Sequence, residues 1–144
     1  MNIQSILAIK GTNVVTIHPQ RPIREAISSL VTHNIGSLVV VNDAYQPVGI
    51  LSERDIVRAA AKNEAIFSLP VSALMTKDVI TGTPDDDLEA VAHTMTEKRV
   101  RHIPVTEAGR LIGIVSIGDV VKAQRDQYQG ELYTLQVQVL DVET

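Results

Sequence analysis

The chain has 144 residues, of which 44% are apolar and 21% charged, and its 13 basic and 17 acidic side chains give a net charge of −4. These values are typical of a globular protein and exclude an intrinsically disordered, collagen-like or coiled-coil architecture for the chain as a whole. The acidic balance argues against nucleic acid or an anionic membrane as the main partner, because both require a basic surface.

The sequence also indicates the cellular setting. Because it contains no cysteine, disulfides, thiolate nucleophiles and cysteine-bound zinc are excluded within these residues. The first ten residues carry no basic segment ahead of their apolar residues, and the longest branched-aliphatic run, residues 38–41, is too short to span a bilayer. We therefore expect a cytoplasmic protein with no membrane partner.

The first half of the chain predicts a strand–helix–strand–strand–helix unit. Apolar residues at 23, 26, 27 and 30 have the spacing of a helix with one buried stripe. Two apolar runs on either side of the turn-rich residues 42–47 predict a hairpin. The predicted elements are a strand at 14–17, a helix at 23–33, strands at 38–41 and 48–51, and a helix at 52–62.

The second half repeats this pattern. Adding 65 to the apolar positions of the first helix gives Leu88, Val91, Ala92 and Met95, and residues 35–41 map onto 100–106 at the same offset. After a connection that is one residue longer in the first copy, residues 49–55 map onto 113–119 at an offset of 64. A repeat of this size is marginal alone, so we predict one packed unit. The predicted fold class is α/β (α+β), with two tandem βαββα repeats related by pseudo-twofold symmetry.

The predicted domains are a first repeat with its N-terminal leading segment at 1–69, a second repeat at 70–127 and a tail at 128–144. The joining residues 63–75 are rich in apolar side chains and are predicted to be packed. Gly130 is predicted to end the last helix. In the tail, Val137 and Val139 alternate like a strand, whereas Leu132, Leu135, Val139 and Val142 fit a helical stripe, so both structures remain open.

Nothing in the sequence indicates catalysis. The glycine-rich phosphate loop, the dinucleotide-binding motif and the nucleophile elbow are all absent. The four histidines, His18, His33, His93 and His102, do not have the spacing of metal ligands. Three consecutive aspartates at 85–87 directly precede the apolar stripe of a predicted helix. At that position they are interpreted as stabilising the positive end of the helix dipole, not as binding a metal ion. We expect no catalytic residue, no metal site and no enzyme.

The duplicated Ser-x-x-Asp motif is different, because it fits two roles. Ser52 with Asp55 and Ser116 with Asp119 have the spacing of a helix-capping box. The same geometry also presents free backbone N–H groups and a carboxylate to a ligand. Two such turns, 64 residues apart, would face one pseudo-symmetric cleft.

A basic cluster lies at the start of the second copy's middle strand. Lys98 and Arg99 lie at the end of a predicted helix, where cations stabilise the negative end of the dipole. Arg101 and His102 instead lie at the start of a buried strand. The first copy has only Gly36 and Ser37 at that place. Phosphates are therefore expected near this cluster. Since the strand in the Asp55 copy supplies no cation, the two sites are expected to be unequal.

Residues 49–55, 113–119 and 101–105 resemble the motifs of the cystathionine-β-synthase (CBS) domain, and the chain is similar to a stand-alone tandem CBS pair, or Bateman module, over about residues 1–127. The resemblance implies a disc-shaped, usually homodimeric regulatory module that binds adenosine-containing ligands between its two domains. Across the family these ligands include AMP, ADP, ATP, S-adenosylmethionine and NAD(H). Since this sequence carries no attached enzyme, channel or transporter domain, we expect it either to act on a separate, unidentified protein or to buffer or sense nucleotide without an obvious output.

The resemblance assigns roles residue by residue. Ribose contacts fall on Asp55, Asp119, Ser52 and Ser116, and phosphate contacts on Arg101 and His102. The adenine pocket corresponds to Lys10, Thr12, Met75, Thr76 and Val79. Arg54 and Arg99 are weaker candidates; Arg54 has Gly118 as its counterpart.

Two functions follow as alternatives. The first is a non-catalytic sensor with an adenine nucleotide, AMP or ATP, as its regulatory ligand. The second is a ligand-free dimerisation or protein-interaction module in which the Ser-x-x-Asp turns are only helix caps.

Overall fold

The computed structural model describes the backbone of residues 1–143 and the side chains of residues 1–140. The elements in chain order are α1 (Ile3–Lys10), β1 (Thr16–Ile17), α2 (Ile23–His33), β2 (Ser37–Val41), β3 (Pro47–Ser52), α3 (Glu53–Lys62), a short 3-10 helix (Val71–Ala73), α4 (Leu88–Lys98), β4 (His102–Glu107), β5 (Arg110–Ser116) and α5 (Ile117–Glu143). The predicted repeat is therefore confirmed, and helix α2 has the predicted bounds.

The two repeats keep the same strand register. In the first repeat, β1 pairs in parallel with β2, which pairs antiparallel with β3 as the predicted hairpin. In the second repeat, β4 and β5 form the equivalent antiparallel hairpin. The first-repeat pair Ile17 and Val40 has its counterpart in a single parallel bridge between Gly82 and Val105, at the offset of 65.

The predicted first strand of the second repeat is wrong, because only this isolated bridge is present in the described residues. Gly82 stands where the first repeat has Ile17, and glycine is a weak strand former. Close packing around Gly82 explains why a glycine occupies this position, since a Cβ there would come within 2.9 Å of Ile3 and 3.4 Å of Ile103. The bridge therefore fixes the segment without extending into a ladder.

Each repeat has its own apolar core, and the segment that precedes each repeat packs on the other one. Helix α1, for which the sequence predicted no element, buries Ile3, Ile6 and Leu7 in the second-repeat core. The segment before the second repeat packs on the first-repeat core through Ile66 and Val71. This crossing, together with a third cluster that joins β2 to β5, makes the two repeats one unit.

Helix α5 corrects the prediction for the C-terminal region. Gly130 does not end the helix, which continues to Glu143. Of the two structures left open for the tail, the helix is therefore found and the strand is not. The remaining residue of the predicted tail, Thr144, lies outside the described residues.

Candidate functional site

Both Ser-x-x-Asp motifs form capping boxes at the start of a helix that follows a strand directly. The backbone N–H of Asp55 donates to the Ser52 hydroxyl oxygen at 3.1 Å, and the Ser52 N–H donates to Asp55 Oδ2 at 3.0 Å. Ser116 and Asp119 make the same two bonds at 3.1 and 2.9 Å. Locally the two motifs are equivalent, and each satisfies backbone donors at a helix start.

A cavity of about 500 Å³ lies beside the first motif, between the two repeats. Its wall includes Ser52, Arg54 and Asp55 from the first repeat and Thr76 and Val79 from the connecting segment. Its wall also includes the basic cluster of the second repeat, Arg99, Arg101 and His102. We call this cavity the Asp55 cleft.

The strand of the first repeat supplies no cation to the Asp55 cleft, as expected from the sequence. The cleft is nevertheless lined by cations, because Arg99 and Arg101 come from the second repeat and Arg54 and Arg58 from α3. Four arginines line the cleft, against the three carboxylates of Glu53, Asp55 and Asp78. In a chain with a net charge of −4, the Asp55 cleft is thus a locally cationic surface.

The neighbourhood of Asp119 differs because Lys10, the last residue of α1, reaches it. Lys10 Nζ donates to Asp119 Oδ2 at 2.7 Å and to the Ile114 carbonyl oxygen at 3.0 Å. The ion pair lies at a smaller cavity of about 250 Å³ between α1 and α5, which Lys122 also lines. The Asp119 carboxylate therefore already has a cationic partner from within the chain.

This arrangement lowers the pKa values of Asp119 and His102. Burial alone would raise the pKa of Asp119, but hydrogen bonds from Lys10 and Ser116 and the charge of Lys10 outweigh burial and hold that pKa below its usual range. The pKa of His102 is lowered mainly by burial, and further by the charges of Lys10 and Arg101, with Asp119 acting in the opposite direction. His102 therefore lies within the electrostatic reach of Asp119 while lining the Asp55 cleft.

The predicted adenine contacts divide into two groups. Thr76 and Val79 line the Asp55 cleft, and Thr76 is fixed by two backbone hydrogen bonds with Ile50 at 2.9 and 3.0 Å. Met75 does not line this cavity; its side chain lies against Gly49, where a Cβ would clash with it. Thr12 is exposed and is not part of the cavity wall, and Lys10 is bound to Asp119.

The comparison with protein families identifies the fold. The model of the CBS domain matches residues 8–62 and again residues 71–126. The chain belongs to the CBS-domain family.

Solved structures and curated relatives agree with this assignment. The CBS-domain protein ATU1752 of Agrobacterium tumefaciens is 42% identical, with a TM-score of 0.79 over 86% of this chain and 99% of that one. The CBS domain pair of protein MJ0100, solved in complex with 5'-methylthioadenosine and S-adenosyl-L-methionine, is 29% identical, with a TM-score of 0.76 over 88% of this chain and 98% of that one. The protein MJ1225 of Methanocaldococcus jannaschii is 36% identical over 83% of this chain, which spans only 42% of that relative's length.

Sequence reasoning missed several residues of this CBS-domain cleft. Arg58 and Asp78 line it, as do the apolar Ile50, Ile80 and Val100. Arg58 could have been found, because it follows Arg54 by one helical turn and shares its face. The others belong to no repeated motif and depend on how the two repeats pack together.

Two further observations concern the predicted absences. Among the described residues, no three histidine, aspartate or glutamate side chains are grouped so that they could hold a metal ion. The aspartates at 86 and 87 instead accept hydrogen bonds from backbone N–H groups, Asp86 from Thr83 and Asp87 from Glu89. None of the described helices is long and apolar enough to cross a membrane.

Proposed function

We propose that this CBS pair is a non-catalytic regulatory module that binds an adenosine-containing nucleotide in the Asp55 cleft. One observation carries the proposal: a single cavity of about 500 Å³ is lined by the Asp55 carboxylate of one repeat and by Arg99, Arg101 and His102 of the other. A carboxylate that can accept from a diol, in one cavity with cations that can bind a phosphate, matches a nucleoside phosphate. The adenosine-containing ligands in the structure of MJ0100, a relative of the same fold, support the ligand class.

Asp55 is the proposed ribose contact. Only its Oδ2 accepts a hydrogen bond from a described residue, the Ser52 N–H at 3.0 Å. Its Oδ1 and the second lone pair of Oδ2 are available to the hydroxyls of a ribose diol. Hydrogen bonds to a charged acceptor contribute roughly 1.5–3 kcal/mol each, so this residue should contribute much of the affinity.

The arginines favour AMP or ATP over ligands without a phosphate. Arg99 and Arg101 of the second repeat line the same cavity as Arg54 and Arg58 of the first. A guanidinium group binds phosphate oxygens through two parallel hydrogen bonds, whereas it repels the cationic sulfonium of S-adenosylmethionine. We therefore assign the phosphates to Arg99, Arg101 and His102.

The adenine ring is assigned to the apolar part of the cavity wall. Val79 and Ile80 offer apolar surface there, and the exposed Thr76 offers a polar contact. Because the Thr76 backbone is tied to β3, this part of the wall is already ordered before a ligand binds. Pre-ordering of this kind lowers the entropic cost of binding.

The alternative is a ligand-free interaction module. One observation favours it: both Ser-x-x-Asp motifs are complete capping boxes, so no ligand is needed to explain them. It predicts that substitutions at Asp55 change stability alone and that no nucleotide changes the melting temperature. The proposed state is a cytoplasmic homodimer that acts on a regulated protein partner.

The deciding experiment is thermal melting and calorimetry of the full chain with AMP, ADP, ATP, NAD, NADH, S-adenosylmethionine and 5'-methylthioadenosine. A ligand at 100 times its Kd stabilises the fold by about 2.7 kcal/mol, which corresponds to a melting shift of several degrees. Asp55→Asn should weaken binding of the active ligand at least about tenfold. Asp119→Asn is the control for the loss of a capping-box carboxylate, although it also removes the Lys10 ion pair, and it should leave the affinity within about twofold. If no ligand shifts the melt of nucleotide-free protein, the sensor function is wrong.

A further inference from the structure

Helix α3 carries a row of three cations, two of which line the Asp55 cleft. Arg54, Arg58 and Lys62 follow one another at intervals of four residues, so they are neighbours along one side of the helix. The two arginines line the cleft, whereas Lys62 does not. Like charges at this spacing destabilise a helix, and Arg54 also lies in the first turn, where the positive end of the dipole disfavours a cation. The row therefore does not serve the stability of α3.

The two arginines of α3 are not neutralised by the carboxylates of the cleft. Asp55 lies three residues before Arg58, at a favourable spacing, but the ion pairs among the described residues include neither Arg54 nor Arg58. The other carboxylates of the cleft, Glu53 and Asp78, form no ion pair with a described residue either. Both guanidinium groups can therefore receive an anion from outside the chain.

The second repeat does not contain this arginine pair. At the offset of 64, Gly118 stands in place of Arg54 and Lys122 in place of Arg58. The cavity that Lys122 lines has a volume of about 250 Å³, against about 500 Å³ for the Asp55 cleft. The duplicated backbone plan therefore does not require the two arginines, which belong to the larger cavity alone.

The cleft holds more arginines than one phosphate needs. A phosphate monoester carries a charge of about −1.5 to −2 at pH 7, which two guanidinium groups balance. Arg99 and Arg101 of the second repeat are the arginines assigned above to the phosphate of a mononucleotide. Arg54 and Arg58 add two further positive charges to the same cavity, from a different element. Their charge matches a second phosphate.

We propose that Arg54 and Arg58 form a second phosphate-binding subsite of the Asp55 cleft, which takes the second phosphate of a nucleotide that contains a pyrophosphate group. This inference rests on the proposed function, because it concerns the same nucleotide. It gives the cleft a preference for a pyrophosphate-containing ligand over AMP. A nucleoside di- or triphosphate and a dinucleotide both carry that group, so the test includes both.

Calorimetry of the nucleotide-free full chain with AMP, ADP, ATP and NAD in metal-free buffer tests the subsite. At least one pyrophosphate-containing ligand should bind about tenfold or more tighter than AMP, since the second phosphate adds charged hydrogen bonds. Tighter binding of ADP or ATP than of NAD would assign the pyrophosphate to a nucleoside di- or triphosphate. The reverse order would assign it to a dinucleotide, and either order supports the subsite.

Substitutions along the row on α3 supply the matched comparison. Arg54→Gln and Arg58→Gln should each weaken binding of the preferred ligand about tenfold and binding of AMP less than about twofold. Lys62→Gln removes the same charge from the same row but outside the cleft, so it should leave both affinities unchanged. Equal losses for AMP and the preferred ligand in Arg58→Gln would overturn the subsite. A loss in Lys62→Gln as large as that in Arg58→Gln would also overturn it.

The result separates the subsite from the proposed function. If AMP binds and no pyrophosphate-containing ligand binds tighter, the subsite alone is wrong; if no nucleotide binds, both are wrong. Thermal melts of the ligand-free variants give a second measurement. Arg54→Gln should raise the melting temperature by about one degree at low salt, because it removes a like-charge contact and a cation from the first turn. A fall of several degrees would give Arg54 a structural role and overturn its assignment.

Discussion

The two repeats have the same backbone plan, but their capping-box aspartates have different surroundings. In the first repeat, the carbonyl oxygen of Ile50 accepts a hydrogen bond from the Thr76 N–H at 2.9 Å. At the equivalent position in the second repeat, the Ile114 carbonyl oxygen accepts one from Lys10 Nζ at 3.0 Å. The Ile50 carbonyl oxygen is thus bonded to a backbone N–H, whereas the Ile114 carbonyl oxygen is bonded to a cationic side chain. That side chain, Lys10, also pairs with Asp119.

The two repeats are therefore similar in backbone structure, but we do not expect them to bind a ligand equally. Asp55 lines a cavity whose arginines form no ion pair with any described residue, whereas Asp119 is paired with Lys10 of its own chain. A duplicated motif therefore does not imply two equal sites. We expect one dominant nucleotide site per chain, in the Asp55 cleft.

The largest expected effect comes from removing the cations of the Asp55 cleft. Arg99→Gln combined with Arg101→Gln should weaken binding of AMP about 100-fold or more, because two charged hydrogen-bonding partners of phosphate are lost. Binding of adenosine, which has no phosphate, should change less than about threefold. Calorimetry with both ligands measures the difference.

Arg125→Gln is the control for the loss of positive charge, since Arg125 is exposed on α5 and does not line the cleft. Equal losses of AMP and adenosine affinity in the double variant would contradict the assignment of these arginines to the phosphates.

A smaller effect should follow when the internal cation is removed from Asp119. In Lys10→Met the Asp119 carboxylate loses its partner, so a second and weaker nucleotide should bind. The stoichiometry in calorimetry should rise from about one toward about two per chain at high ligand concentration. Lys122→Met is matched, because Lys122 lines the same small cavity but makes no ion pair there. Unchanged stoichiometry in Lys10→Met would show that Lys10 does not distinguish the two sites.

The smallest effect concerns His102 and pH. The folded state holds the pKa of His102 below its ordinary value of about 6.5, so the unfolded chain takes up a proton at a higher pH than the folded chain does. The free energy of unfolding should therefore fall as pH drops below about 6.5 and through the lowered pKa of the folded state. Denaturation by urea between pH 7 and 5 measures this slope.

His102→Gln should reduce the slope, and His93→Gln, on the exposed surface of α4, should leave it unchanged. The lowered pKa of Asp119 also reduces stability in acid, but only as pH falls below about 4, so the two groups act in separate windows. An identical slope in the wild-type chain and His102→Gln would contradict the role of His102.

Much of the fold was predictable because its signals are local. Helix α2, the two hairpins and both capping boxes depend on residues within a few positions of one another. Helix α1 also had such a signal, an Asn2 cap followed by apolar residues at 3, 6 and 7. The error at Gly130 has a local reason as well, since an isolated glycine costs a helix only about 1 kcal/mol and does not stop it.

The candidate site was predictable only in part. The sequence predicted Asp55, Arg101 and His102 as ligand contacts, and the structure places them in one cavity. The sequence, however, assigned cations to a site by their position in the same repeat. Their actual partner is set by the crossing of the two repeats, which brings residues 99–102 against residues 52–58. No spacing rule within one repeat contains that information.

The sequence by itself determined the duplicated plan and the chemistry available to each copy, because hydrogen bonds in caps and hairpins form between residues close in the chain. Only the tertiary structure decided which aspartate faces the arginines and which one Lys10 neutralises. The ion pair between Lys10 and Asp119 joins residues 109 positions apart. Such a contact exists because α1 packs on the core of the second repeat, and that packing depends on the shape of both cores together.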